Sequence, residues 1–170
     1  MRHDPAEIEA ALASLIALPL WSSGRAADVQ WFQFGAQRVI HGRLGAPRVV
    51  GEFALHVQCA WRLAGPEGIV VASRDRHVPA GDPDAEPPGW RWDVPGANRS
   101  DERCAAWFAT RAAACVERVT ADAFGGLRVA LTGGVTLEVF PDDSLDREHW
   151  RYFQPATEEP HFVVTGAGVE

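Results

Sequence analysis

From Gly51 to Leu63 the chain reads GEFALHVQCAWRL, and its odd positions, Phe53, Leu55, Val57, Cys59, Trp61 and Leu63, are all apolar. The even positions, Glu52, Ala54, His56, Gln58, Ala60 and Arg62, are polar or small. Side chains alternate faces along a strand, so this pattern predicts a long central strand with one sealed and one reachable face. A slip of one residue turns every apolar group outward, so the register is strongly specified.

The rest of the composition places that strand in an ordinary globular domain. A chain of 170 residues buries roughly 70% of its unfolded surface in a single core, so residues 1–170 are read as one domain. The net charge of −7 argues against nucleic acid and anionic membranes as partners, since both repel an acidic surface. All 16 strongly basic side chains are Arg, and the lack of Lys excludes Schiff-base chemistry, a P-loop and a Ser–Lys dyad. Three cysteines without a CxxC pair fit a reducing compartment and read as small core residues. No stretch approaches the length of an apolar span, and the first residues, MRHDPAEIEAAL, lack the unbroken apolar run of a signal peptide. The expected location is the cytoplasm.

Along the chain, Asp4-Pro5-Ala6-Glu7 starts a helix, with Ile8, Leu12, Leu15 and Ile16 at helical spacing and Pro19 as its stop. Val29–Phe34 reads as a strand, and Gly35 as a turn toward a second strand near Arg38–His41. The central strand follows, then a turn at 65–68 into Ile69–Ala72, its hairpin partner. Residues 74–100 form a long irregular excursion with five prolines, Trp90 and Trp92. A second helix is predicted at about 101–118, with Cys104, Phe108, Ala112 and Cys115 as its buried stripe. There Cys104 and Cys115 stand roughly 16 Å apart, too far to bridge.

Residues 119–140 read as a three-strand meander. A three-residue loop at 132–134 pairs Leu131 with Val135, Val129 with Leu137 and Leu127 with Val139, keeping the apolar groups on one face. The same reasoning pairs Ala123 with Leu127 and Ala121 with Val129. Asp122, Arg128 and Glu138 then form an acid–base–acid ladder. Ser144 caps a short helical turn, and Arg151–Gln154 and His161–Thr165 are the last strands. The fold class is α+β: a mostly antiparallel sheet of about eight strands, covered by the two helices.

The sequence holds no phosphate-loop, dinucleotide or nucleophile-elbow motif, no metal motif and no cofactor signature. Two weak constellations stand out. His56 with Glu52 and Arg62 on the polar strand face suits a general base beside a pocket, although a half-exposed sheet face shows the same residues. Asp75 and His77 after the next strand offer an acid–base pair or two metal ligands, short of a full ligand set. Asp142, Asp143 and Asp146 resemble half a calcium loop without its Gly and closing Glu. For binding, Trp90, Arg91 and Trp92 have the chemistry of interface anchors. From Phe140 onward there are seven acids against two arginines, which suits a basic partner.

WFQFG (31–35), GEFALHVQCAWRL (51–63), LEVFPDDS (137–144), EHWRYF (148–153) and PHFVV (160–164) together resemble a family of bacterial proteins of unknown function common in high-GC species. That resemblance implies no catalytic residues. The closing pattern of acidic turn, Trp-Arg and His-Phe-Val-Val is loosely similar in style to small bacterial immunity proteins. The expected function is protein binding, of an immunity type with a basic partner, with no enzymatic activity assigned. The alternative is a small-molecule binder or enzyme with its pocket between the polar face of 51–63 and the 74–100 loop. A homodimer through the excursion or a free strand edge is a further expectation.

Overall fold

The computed structural model describes residues 2–42, 45–110 and 112–170. The alternating stretch is there, but as two strands. β3 (Pro47–Val57) and β4 (Ala60–Gly65) are separated by Gln58 and Cys59, whose backbone N–H groups both donate to the His149 carbonyl, at 2.8 and 3.2 Å. The bend keeps the alternation: Leu55, Val57, Cys59, Trp61 and Leu63 are all buried. Alternation dictates which face a side chain takes and says nothing about which strand is hydrogen-bonded alongside, so one pattern spans two strands.

The remaining elements are helix α1 (Pro5–Ala11), β1 (Pro19–Ala26), β2 (Val29–His41), β5 (Gly68–Ala72), helix α2 (Arg99–Thr110), β6 (Ala114–Ala121), β7 (Leu127–Leu131), β8 (Val135–Phe140), β9 (Glu148–Phe153) and β10 (Phe162–Thr165). Among the described residues they form one antiparallel sheet of ten strands, not eight, in the order β10-β9-β3-β2-β1-β6-β7-β8-β4-β5. β3 and β4 lie six places apart in that order. In a flat sheet that is roughly 29 Å at about 4.8 Å per strand, whereas the two linking residues and their flanking bonds reach only about 10 Å. The sheet therefore rolls back on itself, and its inner face is the core.

That core takes Phe32 and Phe34 from β2, Leu55 and Val57 from β3, Trp61 and Leu63 from β4, and Leu137 and Val139 from β8. Asp4 caps α1 by accepting from the Ala6 N–H (3.0 Å), with Pro5 at the first helical position, as expected. Ile8, Leu12 and Leu15 are fully buried; Ile16, expected beside them, is 43% exposed because the chain leaves the helical path at Leu12.

Three expectations about local structure are corrected. The helix expected at 101–118 is α2 only as far as Thr110, and Ala114–Ala121 is strand β6. A bulge between Val116 and Arg118 adds Glu117 to the strand, so Val116 and Val119 both face the core at a helix-like spacing of three. Cys104 and Cys115 therefore lie on different elements; all three cysteines are free. Gly35 does not turn the chain into a new strand. It has φ +76°, and β2 continues past it through a bulge between Phe34 and Gln37. No helical turn follows Ser144; the chain bends there and enters β9 at Glu148.

The β7–β8 hairpin has the expected register, Leu131 opposite Val135, Val129 opposite Leu137 and Leu127 opposite Val139. The β6–β7 register is two residues away from expectation: Ala121 faces Leu127 and Val119 faces Val129. Asp122 is in the turn, where its carboxylate accepts from the Phe124 and Gly126 N–H groups, at 2.7 and 3.0 Å. Thr120 takes its place opposite Arg128, and Arg62 of β4 extends the ladder on the other side, so Glu138 lies between Arg128 and Arg62 and pairs with both.

Candidate functional site

The 122–126 turn and the 140–147 loop meet at one end of the roll. The turn is held from below: the Trp150 indole N–H donates to the Gly125 carbonyl (2.8 Å). Gly125 has φ +81°, and a Cβ there would come within 2.9 Å of Val164 and 3.1 Å of His3, so only Gly fits. The tip presents Phe124 to solvent at 68% exposure. The loop is held just as firmly. Asp142 accepts from the Ala60 N–H (3.1 Å), and Asp143 accepts from the Leu145 N–H (2.8 Å) and pairs with Arg147. The Leu145 N–H bond, followed by Arg147, holds the Asp143 carboxyl below its ordinary range. Leu145 is 55% and Phe140 37% exposed, and Asp146 is exposed beside them.

Behind this rim is a hollow of about 420 Å³ lined by His3, Phe124, Pro141, Asp143, Ser144 and His149, among others. His3 and His149 are both buried, and His3 Nδ1 has no hydrogen-bond partner. Burial first, and then the His149 ring, lowers the His3 pKa, so the ring is neutral at neutral pH. Sequence reasoning missed both histidines. His3 precedes the first helix and His149 sits in a strand read only from Arg151, so neither carried a pattern.

The chain matches no family model, no curated protein and no solved structure.

The structure separates the residues that sequence reasoning grouped with His56. Glu52 and His56 are four residues apart on β3, roughly 13 Å; the Glu52 carboxylate instead faces the Ala36 N–H in the β2 bulge (3.4 Å). His56 lies between aromatic rings, edge-on to Phe153 at 4.8 Å and 6.5 Å from Trp31. Burial, then the Arg151 charge, lowers its pKa. Arg62, on β4, pairs with Glu138 of β8. Asp75 accepts from the Ala72 N–H (2.9 Å) and so closes its own turn, and His77 packs against Trp92 at 5.3 Å. None of these five residues lines any of the hollows described here. Among the described residues, no three His, Cys, Asp or Glu side chains gather as a metal would require. No described helix is long and apolar enough to cross a membrane.

The excursion is an ordered loop. Trp90 donates to the Ala97 carbonyl (2.7 Å), Arg91 pairs with Asp93 (2.6 Å), and Trp92 lies 5.8 Å from the Arg25 guanidinium. Arg25, on β1, is its anchor. Its side chain is 7% exposed, it forms two bonds to Asp101 (2.7 and 2.8 Å), and it donates to the Trp92 carbonyl (2.9 Å). Asp101 in turn accepts from the Gly96 N–H (2.8 Å) and Asn98 (3.2 Å). A cavity of about 440 Å³ opens beside this pair, between the β1–β2 hairpin, residues 93–96 and α2, with Trp31, Pro95, Cys104 and Phe108 among its walls. Burial, then Asp101 and Asp75, pushes the Cys104 thiol up to about 12. It is therefore a protonated wall of the cavity and a poor nucleophile.

Proposed function

We propose that this chain is a protein-binding module of the immunity type, and that its docking face for a basic partner is the acidic, aromatic end. The observation that carries this reading is the placement of exposed Phe124, Phe140 and Leu145 around Asp142, Asp143 and Asp146 on two loops that are already rigid. Apolar anchors supply affinity, and the exposed Asp142 and Asp146 carboxylates favour a basic partner, while Asp143 is already paired with Arg147. Guanidinium groups already lie near two of these rings, Arg2 at 5.9 Å from Phe124 and Arg62 at 5.6 Å from Phe140, so the ring faces accept cations. Rigidity lowers the ordering cost of association.

The test is capture of a stoichiometric partner from an extract of the native host at low ionic strength. The wild type is expected to retain a basic protein that high salt releases and that a Phe124→Ser/Leu145→Ser variant fails to hold. Capture that is indifferent to both changes, or no stoichiometric protein at all, defeats the reading.

The 440 Å³ cavity supports a second reading, a binder of small neutral ligands. Its size is that of a ligand pocket and its walls are aromatic and apolar. The hydrogen-bonding capacity of Arg25 and Asp101 is taken up internally and Asp93, the other charged residue of the lining, pairs with Arg91, which favours a neutral ligand over an ionic one. A neutral naphthylamine dye should bind the wild type and lose at least tenfold in affinity in Ala105→Trp, which fills the cavity. Equal binding by the two proteins rules the cavity out.

A further inference from the structure

Beyond Leu20 the far edge of β1 has no strand beside it: β6 pairs with β1 only at Pro19 and Leu20, opposite Cys115 and Ala114. The β1–β2 turn is two residues long, Ala27 and Asp28, so the flanking Ala26 and Val29 are a hydrogen-bonded pair. Bonded and open pairs alternate along an antiparallel ladder, which makes Gly24 and Trp31 the next bonded pair. Ser23 and Arg25 therefore turn their backbone N–H and C=O groups away from β2. Among the described residues none of these four groups meets a partner. The strands at the two ends of the sheet are blunted instead. On β10, Val163 and Glu170 exchange N–H···O bonds of 3.1 and 2.9 Å, and on β5 the Val70 carbonyl accepts from Arg103 (2.7 Å).

The open edge of β1 faces the cavity of about 440 Å³, with Ser22 to Ala26 on one side and Cys104, Ala105 and Phe108 of α2 on the other. Strand and helix are joined at one end by the Arg25–Asp101 pair. At the other end Trp21, Trp107 and Phe108 gather around a hollow of about 50 Å³. Gly24 lets the Trp31 indole lie across β1, where a Cβ would come within 2.5 Å of the ring. We infer that this groove takes an extended, uncharged peptide segment of a partner protein, which adds to β1 as a further strand. Two donors and two acceptors repeating every second residue, roughly 7 Å, complement the backbone of another strand, whose own groups repeat at that interval. The charged groups of the lining are already paired, so the segment's side chains are neutral. A cavity of this volume bounded by a helix holds a few extended residues, not the edge of a second folded sheet. The inference rests on the reading of this cavity as a site for a neutral ligand, and it names that ligand's class.

The probe is a phage-displayed library of short random peptides, selected on the whole chain at high salt so that the acidic end does not contribute. Enriched peptides, made as capped synthetic peptides, are expected to bind the wild type and to lose at least tenfold in affinity against Ala105→Trp. N-methylation of the peptide backbone, one amide at a time, is the deciding measurement on the wild type. Affinity should fall at least tenfold at alternate positions and less at those between. No enriched peptide, peptides held equally by Ala105→Trp, or affinity indifferent to N-methylation overturns the inference. The naphthylamine dye tells this failure from that of the reading beneath it. Dye binding without peptide binding overturns the peptide and keeps the cavity as a small-molecule site; binding of neither removes both.

Discussion

Replacing Asp122 by Ala removes two hydrogen bonds at once and leaves the Phe124 and Gly126 N–H groups without their acceptor. Net losses of about 0.5–1.5 kcal/mol per bond put the cost near 1–3 kcal/mol, readable as a lower urea midpoint at unchanged m-value. Because this turn presents Phe124, partner capture should weaken as well. His3 makes a pH prediction. The folded chain lowers its pKa below the ordinary 6.5, and the groups around it include His149, Asp122 and Glu7. The unfolded ring then binds more protons below about 6.5, so stability falls as pH drops from there toward the folded value and is unaffected by this ring well above it. His56 is lowered too and acts in the same direction. Urea midpoints measured between about pH 7.5 and 5.5 should decline in the wild type and decline less in His3→Asn. An identical slope in the variant removes His3 from the account. Asp143 lies outside that window: its lowered pKa contributes stability above the ordinary carboxylate value of 3.8, lost only as pH falls below it.

At the scale of elements, Arg25 and Asp101 join three pieces: β1, the first turn of α2 and the end of the excursion. Asp101→Asn leaves a guanidinium buried without its counter-charge, which costs about 3–5 kcal/mol. The lower end applies, since Asp101 keeps 19% exposure. Tryptophan emission should shift red at denaturant concentrations below the global transition, as Trp90 and Trp92 are released. A variant with wild-type stability and emission shows that the excursion is held by its apolar contacts alone. Element type was legible wherever periodicity was clean, as in α1, the β4–β5 hairpin and β7–β8. It failed where one period ran past the end of its element or a bulge interrupted it. Cys115, at helical spacing from Cys104 and Phe108, carried the expected helix into β6, and Gly35 with Ala36 made one strand look like two. β1 was missed because the alternation in PLWSSGRA is too weak to read.

Over the whole molecule, the roll is closed by side chains that reach across it. Trp61 of β4 meets Phe32 of β2 edge-on at 5.2 Å, although the two strands are five places apart in the sheet. Trp61→Ala should therefore cost about 3–5 kcal/mol and still unfold in one transition, because both ends of the sheet share that core. Two separate transitions would mean the halves are independent. The parity of residues 51–63 and the charge of the C-terminal third were determined by the sequence alone: alternation fixes faces through the pleat, and charge is additive. Only the tertiary structure decided that those thirteen residues are two strands, that Glu52 and His56 do not meet, and that Phe124 and Leu145 share one rim with the acids. Those outcomes depend on which carbonyl a bend finds, here that of His149, ninety residues away in the chain. Local periodicity cannot choose between such distant partners, because the free energy that selects them is gained only when the sheet closes.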